Sequence, residues 1–443
     1  MSKTWANMTA AELGAEIEAG RINPVSLCEM QLDAIDRHPL RDRIYARVMP
    51  NRSRAEAMAA TSRARAGMRR GPLDGVPISW KDNVDTAGRE TEAGSALLKG
   101  RVPQADAEVL RAATLQGTVC LGKTHLSELA FSGLGLNPVT ATPPCINDDA
   151  AVAGGSTSGG ATSVAFGLAP AAIGSDTGGS VRIPAAWNDL VGLKTSLGRL
   201  SCKGVVPLCE RFDTVGPLAH TVEDCALLFA ALGGTRAPDL RGHSLTGTRL
   251  MVLDTLSFDD IRDRPAAGFD DAVARLSRAG ARVERGHFPL IAEAMGLAGP
   301  LYTAEAYGIW GPTIEAAPDK MFARILERFR AGASVLAADY VAAWRRLEEI
   351  RRAWADQMAA YDAVILPTSP VLPPNAARLM SDQAYFVTEN LLALRNTRIG
   401  NLMDQCVLTL PTSQPSCGIS LMMAPGSEER LLRLGAAAER ALH

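Results

Sequence analysis

Apolar and polar positions along the chain fall into blocks whose period switches between that of helices and that of strands. Thr9 and Glu12 stand at capping-box spacing and open a helix that Gly20 closes. Pro24 starts the next helix, which runs to about residue 38 with Leu27, Met30, Leu32 and Ile35 apolar. An Ala/Arg-rich helix is predicted over 54–69. Strand and helix then alternate: a strand at 76–80, a helix at 106–116, a strand at 118–121, a small-residue helix and a short apolar strand within 154–184, and a strand at 190–193. The alternation predicts an α/β fold, a central mixed β-sheet covered by helices on both faces. A charged, Gly-rich stretch at 235–247 reads as a loop or insertion boundary. After it come a strand at 250–253, a mostly helical region at 266–360, strands at 363–366, 407–410 and 419–422, and a closing helix at 428–442. Trp310, Met321, Phe322, Phe329, Tyr340 and Trp344 of the helical region are candidates to cover a pocket, although helix packing explains each one singly.

The chemistry concentrates at 154–184, where two Gly-Gly-Ser turns, ending in Ser156 and Ser180, bracket the small-residue helix and the strand. Glycine lacks a Cβ, so a ligand can approach the bare main-chain N–H groups of such turns, and those groups can stabilise an oxyanion. A serine hydroxyl needs a neighbouring base. None of the six histidines lies in a Gly-rich context matching the serine turns. Lysine is the alternative, because a desolvated lysine can be neutral near pH 7. Lys81 ends the apolar run 76–80, and Asp82-Asn83 follow it as a turn. Taken alone, a Gly-Gly-Ser turn is more often a loop or phosphate nest, and a lysine after a strand a solvated charge.

Their conjunction carries more. Gly-x-Pro-x-x-x-Lys-Asp at 75–82, Gly-Gly-Ser at Ser156, and Ser-Asp-Thr-Gly-Gly-Ser-x-Arg-x-Pro-Ala-Ala at 175–186 resemble the amidase signature hydrolases in order and in the 24-residue serine spacing. Weaker echoes at 122–124, 191–194, 213–217 and 362–370 extend the resemblance over almost the whole chain. It implies one amidase-type domain over 1–443, with N-terminal helices at 1–70, a catalytic core at 71–234, a helical cover at 266–360 and returning strands with a C-terminal helix at 361–443. It implies Ser180 as nucleophile, Ser156 as bridging serine after a cis peptide bond, Lys81 as ultimate base, and the N–H groups of Thr177, Gly178, Gly179 and Ser180 as the oxyanion hole. Thr157 and Gly155 are expected to touch substrate, and Asp176 and Arg182 to be structural. The chain departs from the family pattern at 187–190, at Thr195, at Thr157-Ser158 and at 145–149, outside the three catalytic positions.

The remaining features exclude more than they add. Gly122-Lys123-Thr124 lacks the upstream glycine of a nucleotide phosphate loop, since Gly117 is one residue too far away. His125 has no second histidine at metal spacing and reads as core or pocket lining. No metal and no cofactor are expected. A net charge of −2 with interspersed signs argues against nucleic acid. Without an apolar run near the roughly 20 residues of a membrane span, or the layout of a signal peptide at residues 1–7, a soluble cytoplasmic protein is expected, as monomer or homodimer. The eight cysteines form no C-x-x-C pair and read as buried free thiols, with Cys202 and Cys209 a conceivable redox pair.

The expected activity is hydrolysis of C–N bonds in small amides through an acyl-enzyme, with ester or carbamate (urethane) hydrolysis as side or main activity. Low aromatic content and the neutral charge balance favour a small, uncharged substrate. Two other readings stay open: the glutaminase (A-type) subunit of a tRNA-dependent amidotransferase, and a non-catalytic binding homologue. The stretch 131–137 looks more like stand-alone amidases than like the first, and the intact Lys81, Ser156 and Ser180 speak against the second.

Overall fold

The computed structural model describes residues 5–443. Among the described residues there are thirteen strands: β1 (Tyr45–Val48), β2 (Pro77–Lys81), β3 (Val119–Thr124), β4 (Pro144–Cys145), β5 (Asp148–Val152), β6 (Ala171–Asp176), β7 (Val191–Lys194), β8 (Thr214–Ala219), β9 (Arg249–Leu253), β10 (Arg282–Gly286), β11 (Ala363–Pro367), β12 (Cys406–Pro411) and β13 (Gly418–Met423). Eleven of them form one sheet in the order β1-β3-β2-β6-β8-β7-β12-β13-β11-β9-β10, and β4 with β5 makes a separate ribbon. The sheet is mixed. β2 runs parallel to β3 and β6, and β9 parallel to β10 and β11. β6, β7, β8, β12 and β13 are joined by antiparallel ladders.

Period-2 alternation along these strands feeds two hydrophobic cores, one on each face. Leu250, Val252, Leu408 and Leu421 join a core with the helices Val222–Gly233 and Glu428–Leu442. Their neighbours Met251, Leu253, Val407 and Met422 join the other, with the helices Leu290–Ala316 and Ala337–Met358. The mixed sheet covered on both faces is as expected.

Local signals held where they were strong. The Thr9 hydroxyl accepts from the Glu12 N–H at 3.1 Å, and the Glu12 carboxylate accepts from the Thr9 N–H at 2.9 Å. The Ala/Arg-rich helix starts earlier than predicted, at Pro50, whose fixed φ suits the first helical position. The unpredicted strands are short, polar or broken by turn residues. β10 interrupts the supposed helical region and is mostly exposed. β8 holds Gly216-Pro217, a turn signal, yet its ladder to β7 covers only Leu218 and Ala219, so Pro217 lies beyond the positions where that ladder needs a donor.

Candidate active site

β2 and β6 lie side by side, and their C-terminal ends deliver the base and the second serine turn to one place. Lys81 ends β2 fully buried. Its Nζ donates to Ser156 Oγ at 2.7 Å, to Ser175 Oγ at 2.9 Å and to the Ser175 carbonyl at 3.2 Å. Asn83 Nδ2 also donates to Ser175 Oγ, at 2.9 Å, which fixes that hydroxyl. Burial disfavours the ammonium and, although Asp176 and Asp213 pull the other way, brings the Lys81 pKa down to about 7.

The peptide bond between Gly155 and Ser156 is cis. A Cβ at Gly155 would sit 2.6 Å from both the Gly135 nitrogen and Ser127 Oγ, so only glycine fits there. Gly155 and Thr157 flank the cis bond and Ser156 and do not line the cavity described below. Thr157 is fully buried, its hydroxyl facing the Ser175 carbonyl at 3.4 Å. Both residues are tied into the scaffold of the turn. The Thr157 N–H donates to the Ser180 carbonyl at 3.1 Å and ties the two serine turns together.

The Ser180 hydroxyl has no hydrogen-bond partner among the described residues and opens on a cavity of about 330 Å³. No hydrogen bond links it to Ser156 here. Such contacts are often long before substrate arrives. Of the four expected oxyanion donors, the N–H groups of Thr177, Gly178 and Ser180 are unclaimed within the described chain. That of Gly179 donates to Asp176 Oδ1 at 2.9 Å. Asp176 also accepts from the Val181 N–H, from Asn401 and from Arg182 at 2.9 and 3.0 Å. Burial would raise its pKa, but the Arg182 guanidinium, helped by Lys194 and Asn401, holds the carboxyl well below the usual range. This buried pair shapes the turn, the structural role read from the sequence.

The chain around this site matches the family model named Amidase over residues 27–432. The chain belongs to the amidase family. It is similar to the 2-amino-5-chloromuconic acid deaminase of Comamonas testosteroni, 33% identical over 441 residues that cover 96% of this chain and 94% of that one. It is also similar to the A-type component of the Glutamyl-tRNA(Gln) amidotransferase of Symbiobacterium thermophilum, 32% identical over 401 residues covering 82% of each. Among solved structures, the native peptide amidase from Stenotrophomonas maltophilia superposes with a TM-score of 0.81 at 27% identity, covering 99% of this chain and 97% of that one.

In this amidase-family chain several residues around the serines escaped the sequence reading. Asp213 accepts from Thr177 Oγ1 at 2.5 Å and from the Leu208 and Cys209 N–H groups, and burial pushes its pKa up to about 6. Thr397 donates to the Gly178 carbonyl at 2.7 Å from a helix more than 200 residues away. The Asp213-Thr214 echo was a signal for the first. None existed for the second. The aromatic candidates of the helical region pack in the core and do not line the cavity, which takes Phe131, Tyr302 and Phe386 instead. His125 is buried away from the cavity, its imidazole pKa lowered to about 4 by desolvation. Lys123 is a buried strand residue that donates to the Val84 carbonyl and to Thr91, at odds with a phosphate loop. All eight cysteines are free, including Cys202 and Cys209. Among the described residues no helix is long and apolar enough to cross a membrane.

Proposed function

We propose that this amidase-family hydrolase cleaves the C–N bond of a small amide through an acyl-enzyme on Ser180. The observation that carries the reading is a fully buried lysine amine 2.7 Å from Ser156 Oγ, next to a serine whose hydroxyl is unpaired and opens on a cavity. Lys81, about half neutral at pH 7 and more so above it, takes the Ser156 proton as Ser156 takes that of Ser180, and Ser180 Oγ attacks the carbonyl carbon. The N–H groups of Thr177, Gly178 and Ser180 hold the oxyanion, each worth roughly 2.7–4 kcal/mol in the transition state. The proton returns through the same relay to the leaving nitrogen, the C–N bond breaks, and water attacks the ester to free acid and serine. Esters and carbamates suit the same chemistry as side or main substrates.

The test is a fluorophosphonate probe followed by intact-protein mass spectrometry. One adduct on the wild type, absent in Ser180→Ala, supports the reading, and no adduct on folded wild type refutes it. The similarity to the A-type component of an amidotransferase favours a second reading, a glutaminase that hands ammonia to a partner. Ammonia release from glutamine, together with copurifying partner proteins, would support it.

A further inference from the structure

The cavity at Ser180 carries a charge pattern that the sequence did not suggest. Its walls are largely apolar, with Phe131, Leu208, Phe386 and Leu394 among them, yet Arg328 and Arg398 both reach in. Neither guanidinium has a carboxylate or hydrogen-bond partner among the described residues. Arg328 lies over the Phe131 ring at 4.5 Å and Arg398 at 6.0 Å from the centre of Tyr302. Burial, and then the charge of Arg398, bring the Arg328 pKa down to about 9, so it still carries its proton at pH 7. The third lining arginine, Arg324, is occupied by the carbonyls of Leu379 and Met380. The one lining carboxylate among the described residues, Glu327, is exposed and holds Gln383.

Tyr302 is 7% exposed, lines the cavity, stacks on Phe212 at 4.3 Å, and its hydroxyl has no hydrogen-bond partner. That hydroxyl is shut off from the cavity, whereas the two half-buried guanidiniums reach it without a counter-charge, which a bound anion would supply. Arg398 also flanks the oxyanion turn, since a Cβ on Gly178 would lie 3.6 Å from its Cγ and 3.9 Å from its Nε. The group it binds therefore sits near the scissile carbonyl.

We propose that the substrate is an amide carrying a carboxylate, bound by Arg328 and Arg398. This rests on the reading of Ser180 as nucleophile and replaces the uncharged substrate expected from composition. A glutamine zwitterion fits less well, because its ammonium would face two guanidiniums with no buried carboxylate in the lining.

The experiment compares glutaramate, with its carboxylate on the acyl side, and N-acetylglycine, with its carboxylate on the amine side, against pentanamide and N-propylacetamide. For at least one pair, kcat/KM of the anionic amide exceeds that of its neutral partner tenfold or more. That ratio falls at least tenfold in Arg328→Gln and Arg398→Gln, and recovers in part in Arg328→Lys, which controls for misfolding. Equal handling of anionic and neutral amides overturns the carboxylate and leaves the hydrolase reading intact. Absence of both turnover and a fluorophosphonate adduct overturns that reading as well. If the probe labels Ser180 but none of the four amides turns over, calorimetric titration of Ser180→Ala with the two anionic amides decides, and no binding of either sinks the proposal.

Discussion

Titration of Lys81 makes the sharpest demand on the proposed relay. With its pKa near 7, the neutral fraction of the base is about 0.9 at pH 8, about 0.1 at pH 6 and about 0.01 at pH 5. For a non-ionising amide, kcat/KM should therefore fall roughly ninetyfold between pH 8 and pH 5, with a limiting slope of one. Asp213 is a rival source of that limb, since burial puts its own pKa at about 6. Substituting Asp213→Asn separates the two. The Asp213 charge raises the Lys81 pKa, so its removal moves a lysine limb to lower pH, whereas a limb due to Asp213 itself would vanish. The assay is initial-rate ammonia release from pH 5 to 9, with circular dichroism at each pH to separate titration from unfolding. A flat wild-type profile, or a limb abolished in folded Asp213→Asn, would refute the lysine base.

Other substitutions probe the scaffold. Ser180→Ala should abolish turnover and leave the melting temperature almost unchanged, because the hydroxyl has no protein partner to lose. Gly179→Ala places a Cβ 2.1 Å from Thr397 Oγ1 at a φ of +137°, so urea titration should show a loss of about 2 kcal/mol or more, with activity lost as well. Asp176→Asn leaves the buried Arg182 cation without its counter-charge and should cost about 3–5 kcal/mol in the same titration. Lys81 carries fewer protons folded than unfolded between about pH 7 and its ordinary 10.5, so its contribution to stability rises with pH through that window. Lys81→Met should be inactive and lose that rise in melting temperature between pH 7 and 10.

Local signals in the chain already determined much of this molecule. The capping box at Thr9, the apolar runs that became β2, β3, β9, β11, β12 and β13, and the two Gly-Gly-Ser turns all depend on neighbours a few residues away, which any reading of the order can see. Lys81 was legible through its place at the end of a largely apolar run together with the two serine turns, although a lysine after a strand, taken alone, reads as a solvated charge. Assembly across the sheet decided the rest. The exposed β10 and the Pro-containing β8 are strands only because partners complete them, and the turn chemistry of their own residues points elsewhere. The direction of the Thr157 side chain, which its place beside Ser156 does not give, is set by packing against Gly174 and Gly160. Arg328 and Arg398 come from separate helices, Ala323–Arg330 and Gln383–Leu402, and meet Tyr302 of a third. In sequence each is an ordinary charge among many others. A cation acquires a role in recognition only when its surroundings withhold a counter-charge, and that is a property of the packed cavity rather than of any segment of the chain.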